Sequence, residues 1–239
     1  MPRLVLFDID GTLVSSRGGI GRRAISRVMS GLHGAPVEVS VEECAGRPDP
    51  QIVRRVFERL GYGREEAQAL LPRALGLYLD ALEATYSEQA GAYCHAGVPE
   101  LLARLEGESG LVLGLLTGNL ERGARIKLGP FGLNRHFPFG AFGSDHEERH
   151  LLPAVAVERA LRTTGTRFEG KDIVIIGDTV HDVRCGRHLG VTAVAVASGP
   201  TSREDLAAEG PDFLADDLRP TPGLLEAILG VSPSLRTAC

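Results

Sequence analysis

Four uncharged apolar residues near the start, Leu4, Val5, Leu6 and Phe7, run directly into Asp8-Ile9-Asp10-Gly11-Thr12. A run this short predicts a strand rather than a helix, and one apolar on both faces belongs at the centre of a parallel sheet with helices on either side. The strand therefore ends in two carboxylates. Open α/β sheets place their ligands at that carboxyl end, and Gly11-Thr12 supplies a turn that can aim backbone N–H groups at an anion. Taken alone, the pair is equally an ordinary strand-to-turn Asp pair with Asx-turn hydrogen bonds, so its meaning depends on the rest of the chain.

The pattern of that first strand recurs. Ile173-Val174-Ile175-Ile176 closes on Gly177-Asp178-Thr179, Leu111 to Leu116 closes on Thr117-Gly118-Asn119, Phe137 to Phe142 reads as a short strand before Ser144-Asp145, and Val191 to Val196 reads as another. Helical spacings lie between them. The alternation predicts an α/β fold: a Rossmann-like parallel sheet core with helices on both faces, joined by right-handed crossovers. Residues 15 to 96 break the alternation. They open on the polar, flexible Ser15-Ser16-Arg17-Gly18-Gly19 and then show helical spacings with no convincing strand, including a helix over 20 to 34, one capped by Asp49, and a long one over 64 to 86. Pro72 and Gly76 predict a kink or two helices in the last of these. The expected organisation is a catalytic core of residues 1–14 and 97–239 with an inserted α-helical cap domain at 15–96, a lid beside the first strand's carboxylates. The tail after Gly230 is expected to fray.

Composition narrows the chemistry. A net charge of −5 over 239 residues, with no Trp and no basic stripe, argues against nucleic acid as a partner. No signal-peptide pattern precedes the first strand and no apolar run reaches about 18 residues, so no membrane partner is expected and the cytoplasm is the expected compartment. Cys44, Cys94, Cys185 and Cys239 are too scattered for a zinc site or a disulfide framework.

Asp8-Ile9-Asp10-Gly11-Thr12, Thr117-Gly118-Asn119 and Gly177-Asp178-Thr179-Val180-His181-Asp182 together resemble the sequence motifs of the haloacid-dehalogenase-like superfamily, its D-x-D-G-T and G-D-T-x-x-D signatures among them. The helical segment after the first motif is similar to the cap of its phosphoglycolate-phosphatase and β-phosphoglucomutase-like members. The resemblance covers nearly the whole chain. It implies Asp8 as nucleophile and metal ligand, and Asp10 as the acid that protonates the leaving oxygen and then the base that activates water. Asp178 is implied as a metal ligand, with Asp182 ligating the ion or orienting its waters. Asp10 is grouped with this metal set. Thr117, Gly118 and Asn119 are the implied phosphate-binding residues.

Physical chemistry points the same way. Three carboxylates in one crevice repel by about 4 kcal/mol per close pair at an effective dielectric of ~20. An all-oxygen set without Cys or His favours a hard cation that keeps waters and accepts substrate phosphate, which is Mg²⁺. The superfamily's usual Lys-Pro after the third strand is absent. Glu147-Glu148-Arg149-His150-Leu151 stands there, so Arg149 is the expected phosphate clamp, a guanidinium able to bridge Asp8 and a phosphate oxygen. Lys127, inside an amphipathic helix, reads as a solvated surface charge, and Lys171 as a strand-entry charge. His146, His150 and His181 read as solvent-facing or supporting groups. In Ala45-Gly46-Arg47-Pro48-Asp49, similar to the family's G-R-T-D loop, Arg47 is a candidate substrate contact, with a solvent-facing arginine beside a helix cap the equal alternative.

The expected function is a Mg²⁺-dependent phosphatase acting on a small phosphorylated metabolite, of the phosphoglycolate or sugar phosphate class, through an aspartyl-phosphate. A β-phosphoglucomutase-like phosphotransferase is the alternative. A haloacid dehalogenase would not need Asp10 or a metal, and a catalytically silent binding protein would be expected to have lost a motif carboxylate.

Overall fold

The computed structural model describes residues 2–87 and 91–230, so the expected fraying of the tail lies outside the described residues. Its strands are β1 (Arg3–Phe7), β2 (Val14–Ser16), β3 (Ala92–Cys94), β4 (Leu111–Leu116), β5 (Gly140–Ala141), β6 (Ile173–Gly177), β7 (Thr192–Val196) and β8 (Phe213–Ala215). Its helices are α1 (Ile20–His33), α2 (Val41–Cys44), α3 (Asp49–Arg59), α4 (Arg64–Ser87), α5 (Val98–Glu106), α6 (Glu121–Leu128), α7 (Leu152–Thr164), α8 (Val180–Leu189), α9 (Arg203–Ala208) and α10 (Pro222–Leu229). Six strands form one parallel sheet in the order β5-β4-β1-β6-β7-β8. This is the predicted α/β architecture. The Asp8–Asp10 strand sits inside it, between the strand that ends in Thr117 and the strand that ends in Asp178.

Period-two alternation explains why β1 is apolar throughout. Val5 and Phe7 face one side with Leu115, Val174 and Ile176, where Leu101, Leu105, Leu128, Leu224 and Ile228 cover them. Leu4 and Leu6 face the other with Leu116, Ile173 and Ile175, under Leu152, Ala156, Ala160 and Phe168. Burying both faces at ~25 cal/mol per Å² of apolar surface is what holds the strand's charged end in a fixed place.

Helices α1, α3 and α4 bury an apolar cluster of their own, with Ile25, Met29, Val56, Phe57, Tyr78 and Leu82 at its centre. Four expectations are corrected here. α4 is one continuous helix through Pro72 rather than two helices. A proline inside a helix costs about 3 kcal/mol, and burying the stripe Ala67, Leu71, Ala74, Tyr78 and Leu82 offsets it, since each large side chain is worth about 1.5–3 kcal/mol. The segment also contains strand: β2 and β3 pair antiparallel, Val14 opposite Cys94 and Ser16 opposite Ala92, tying the outgoing and returning chain together. The stretch read as flexible is therefore partly a two-stranded ribbon. Asp49 is not the N-cap of α3, since Pro48 holds that position. The strand expected over 137–142 shortens to two residues, with Gly129–Phe131 and Leu133–His136 as 3₁₀ turns before it. Among the described residues no helix is long and apolar enough to cross a membrane.

Candidate active site

The carboxyl ends of β1 and β6 bring Asp8, Asp178 and Asp182 together, each offering an oxygen within 4.8 Å of the others. All three are buried. The loops that hold them are locally determined. Gly11, at φ 84°, makes the turn after Asp10 that only glycine adopts without strain, and Thr12 beyond it donates from its hydroxyl to Asp178 Oδ1 at 2.9 Å. Asp182 closes a capping box at the start of α8, where Thr179 donates to Oδ2 from its backbone N–H at 3.1 Å and its hydroxyl at 2.6 Å. Arg149, entering from the 3₁₀ turn Arg149–Leu151, forms an ion pair with Asp8 Oδ2 at 3.0 Å and donates to Asp182 Oδ1.

One guanidinium thus faces three carboxylates. Burial pushes Asp8 up to about 6, against the pull of Arg149. Burial, then the charges of Asp8 and Asp182, hold Asp178 well above the carboxylate range. Burial opposes the charge on Arg149, but Asp182 and Asp8 more than reverse this and hold it above its ordinary value. Asp178 Oδ2 is buried and has no hydrogen-bond partner among the described residues. An orphaned carboxylate oxygen in a dry, doubly over-negative cluster of hard donors fits a divalent cation such as Mg²⁺.

Asp10 stands apart from this group, although the sequence reading grouped it with the metal set. Its side chain is 52% exposed, against 6% for Asp8. Lys127 from α6 grips both its oxygens, at 2.8 Å and 2.6 Å, and the Asn119 carboxamide donates to Oδ2 at 2.7 Å. Lys127 is no surface charge. It is 4% exposed, and burial opposes its charge while Asp10, first among its anionic neighbours, holds the ammonium well above its ordinary value. The signal was in the sequence: Lys127 follows Gly123 and Ala124 at helical spacing, on the stripe of α6 that packs inward.

The Asn119 side chain is tied into the same assembly. Its carboxamide nitrogen donates to Asp10 and to Thr117 Oγ1 at 2.8 Å, and its oxygen accepts from Lys127 at 2.6 Å, so both amide protons and the acceptor are engaged within the protein. Thr117 Oγ1 accepts two N–H donors from Asn119, which leaves its own proton to donate elsewhere. Gly118 contributes through its carbonyl, which accepts from the Asp49 N–H at 2.8 Å. Asp49, a residue the sequence reading treated only as a cap, is buried and takes the Leu120 N–H at 2.9 Å, joining α3 to the start of α6. Over these groups lies a cavity of about 320 Å³, with Asp8, Asp10, Thr117 and Asp178 below and Arg22, Arg47 and Tyr78 above.

The model of the haloacid dehalogenase-like hydrolase family matches residues 5–196. The chain belongs to that family. Among relatives of this hydrolase, the phosphoglycolate phosphatase of Rhodospirillum rubrum is 32% identical over 225 residues, covering 91% of this chain and 88% of that one. Phosphoglycolate phosphatase 1 of Pseudomonas aeruginosa is 29% identical over 224 residues, covering 92% and 78%. CbbY from Rhodobacter sphaeroides, solved in complex with phosphate, superposes with a TM-score of 0.75 at 21% identity, over 95% of this chain and 99% of that one, a likeness of fold.

For a hydrolase of this family, Arg47 and the histidines remain at the margin. Arg47 reaches the cavity wall, its guanidinium donating to the Glu42 carbonyl. His181 is half-buried beside the Gly46 loop, and burial, followed by the charge of Arg149, lowers it. His146 accepts from the Glu148 N–H at 2.9 Å, and His150 is exposed. Lys171 bonds Asp212 at 2.8 Å and the Val191 carbonyl at 3.1 Å, far from the carboxylates in the fold.

Proposed function

We propose that this hydrolase is a Mg²⁺-dependent phosphatase that releases phosphate from a small phosphomonoester, of the phosphoglycolate or sugar phosphate class, through an aspartyl-phosphate on Asp8. The observation that carries the reading is the buried Asp8–Arg149–Asp178–Asp182 cluster, three of whose members, Asp8, Arg149 and Asp178, line a partly open cavity of small-metabolite size. In this reading residues 15–96 form a cap over the core of 1–14 and 97–239. Asp8 and Asp178 hold the ion, with Asp182 orienting its surroundings. Bound there, Mg²⁺ supplies charge that screens Asp8 from a phosphate dianion and polarises the phosphoryl oxygens.

The chain's own residues do the rest. Asp8 attacks phosphorus in line as the bond to the leaving oxygen breaks, and Asp10 delivers a proton to that oxygen. In the second step Asp10 takes a proton from water as the water oxygen displaces Asp8, giving inorganic phosphate and restoring the Asp8 carboxylate and the protonated Asp10. The Thr117 hydroxyl and the Thr117–Asn119 loop face the transferring group, and Arg149 orients Asp8. Two carboxylates two residues apart thus divide the work by environment, one dry and one open.

The test is phosphate release from a panel of small phosphomonoesters, with Mg²⁺ and with chelator, for wild type beside Asp8→Asn. Metal-dependent release that the variant loses supports the reading. Release by folded Asp8→Asn at the wild-type rate overturns it.

A further inference from the structure

Lys127 has no part in the roles above, yet it is a buried cation bonded directly to Asp10. Its three donors meet Asp10 Oδ1, Asp10 Oδ2 and Asn119 Oδ1, which satisfies an ammonium in full. It is also roofed. A Cβ placed on Gly21 of α1 would stand 3.6 Å from Lys127 Nζ and 3.5 Å from the Tyr78 hydroxyl, so the ammonium lies directly beneath the helical insertion. The two oxygens of Asp10 are not equivalent in this arrangement. Among the described residues, Oδ2 accepts from both Lys127 and Asn119, whereas Oδ1 accepts from Lys127 alone and keeps a lone pair for proton exchange. A carboxylate on an exposed turn would otherwise sample several rotamers, and an acid misplaced by about 1 Å loses much of its effect.

We propose that Lys127 is a positioning residue for the reaction, gripping Asp10 so that Oδ1 is presented to the leaving oxygen. The inference rests on the phosphatase reading. As the Asp8 oxygen bonds to phosphorus, the bond from phosphorus to the leaving oxygen breaks, and its electron pair takes the proton carried on Asp10. An ester whose leaving group departs as a weak base needs little of that proton. An alkyl ester needs all of it.

The experiment is therefore kcat/KM, which reports steps up to phosphoenzyme formation, for acetyl phosphate and for 2-phosphoglycolate or whichever alkyl ester of the panel is turned over fastest. Wild type, Lys127→Met, Lys127→Gln and Asp10→Asn are compared. Lys127→Met should lose about 100-fold on the alkyl ester, within the range for a general acid. On acetyl phosphate it should lose less than about fivefold, the same selectivity as Asp10→Asn in weaker form. The KM values should stay close to wild type. Should Lys127→Met not fold, Lys127→Gln carries the comparison. Equal fractional loss on both esters, or no loss on either, overturns the proposal while leaving the phosphatase reading in place. Failure of both lysine variants to fold, seen by circular dichroism, makes Lys127 a structural charge and overturns it as well. A wild type inactive on every ester overturns the phosphatase reading and this inference with it.

Discussion

Asp8 and Asp10 leave the same strand two residues apart, and each is met by one buried cation, but the two assemblies are built to opposite charge balances. Around Asp8, a single guanidinium, Arg149, serves three buried carboxylates, and one oxygen of Asp178 is left without a partner among the described residues. Around Asp10, a single ammonium, Lys127, serves a carboxylate that is half open to solvent, with the Asn119 amide completing the set. With all three carboxylates ionised the first assembly is short of positive charge by two units, the charge a divalent ion supplies. The second is closed, and needs nothing further to keep its carboxylate in place. Adjacency in sequence therefore does not make the two aspartates a pair of equals, since burial and counter-charge assign one to bonding and the other to proton traffic.

The sharpest way to break this division is to exchange the roles. Asp8→Asn should lower turnover by at least about 10³-fold, as removal of a nucleophile does. Asp10→Asn should slow turnover and accumulate phosphoenzyme, which mass spectrometry of the trapped form should place on Asp8. Phosphate found on Asp10 in wild type, or on any residue other than Asp8 in the variant, would dissolve the distinction.

Most of the Asp8 assembly was legible in the sequence because each member ends a strand or begins a helix. Asp8, Asp178 and Thr117 follow apolar runs whose faces can be counted, and Arg149 stands just before a helix at the place where a cation is wanted. The Asp10 assembly was legible only in part. Lys127 and Asp49 reach the site from helix interiors and first turns, where a charged residue usually faces water, and whether it does depends on what the rest of the fold lays against it. The part of the Asn119 carboxamide was not legible for a related reason: its partners, Lys127 and Asp10, are set by tertiary placement. The β2–β3 ribbon escaped because three-residue strands leave almost no periodicity to read.

Asp49 tests whether the Asp10 assembly is as balanced as its contacts suggest. Burial raises Asp49 to about 6, opposed first by Lys127. A carboxyl raised on folding binds its proton more tightly in the native state, so its contribution to stability is complete below about 3.8 and lost as pH rises through about 6. The difference in unfolding free energy between wild type and Asp49→Asn should therefore change by roughly 2 kcal/mol between pH 4 and pH 7, in the direction of wild type losing ground. Denaturant melts at several pH values read it. A flat difference would mean that Lys127 fully neutralises Asp49 as well as Asp10. The Asp8 assembly should answer to metal instead: saturating Mg²⁺ at about 100 times its Kd should stabilise wild type by about 2.7 kcal/mol. Asp178→Asn should melt higher than wild type without metal and gain little from Mg²⁺, while Lys127→Met should keep the full Mg²⁺ response. A Lys127→Met protein that no longer responds to Mg²⁺ would show the two assemblies to be one.

The smallest effect belongs to Arg47, which sits over the boundary between the two assemblies on the cavity wall. Its guanidinium donates to the Glu42 carbonyl at the start of α2, a bond that fits equally a tether within the insertion and a side chain held ready for substrate. These differ in what alanine would do. If Arg47 meets an anionic group on the leaving alcohol, Arg47→Ala removes a partly solvated ion pair worth about 1 kcal/mol, which is about fivefold in KM with kcat unchanged. That rise should appear with 2-phosphoglycolate and vanish with acetyl phosphate, which carries no such group. If it is a tether, both KM values hold and the melting temperature falls instead.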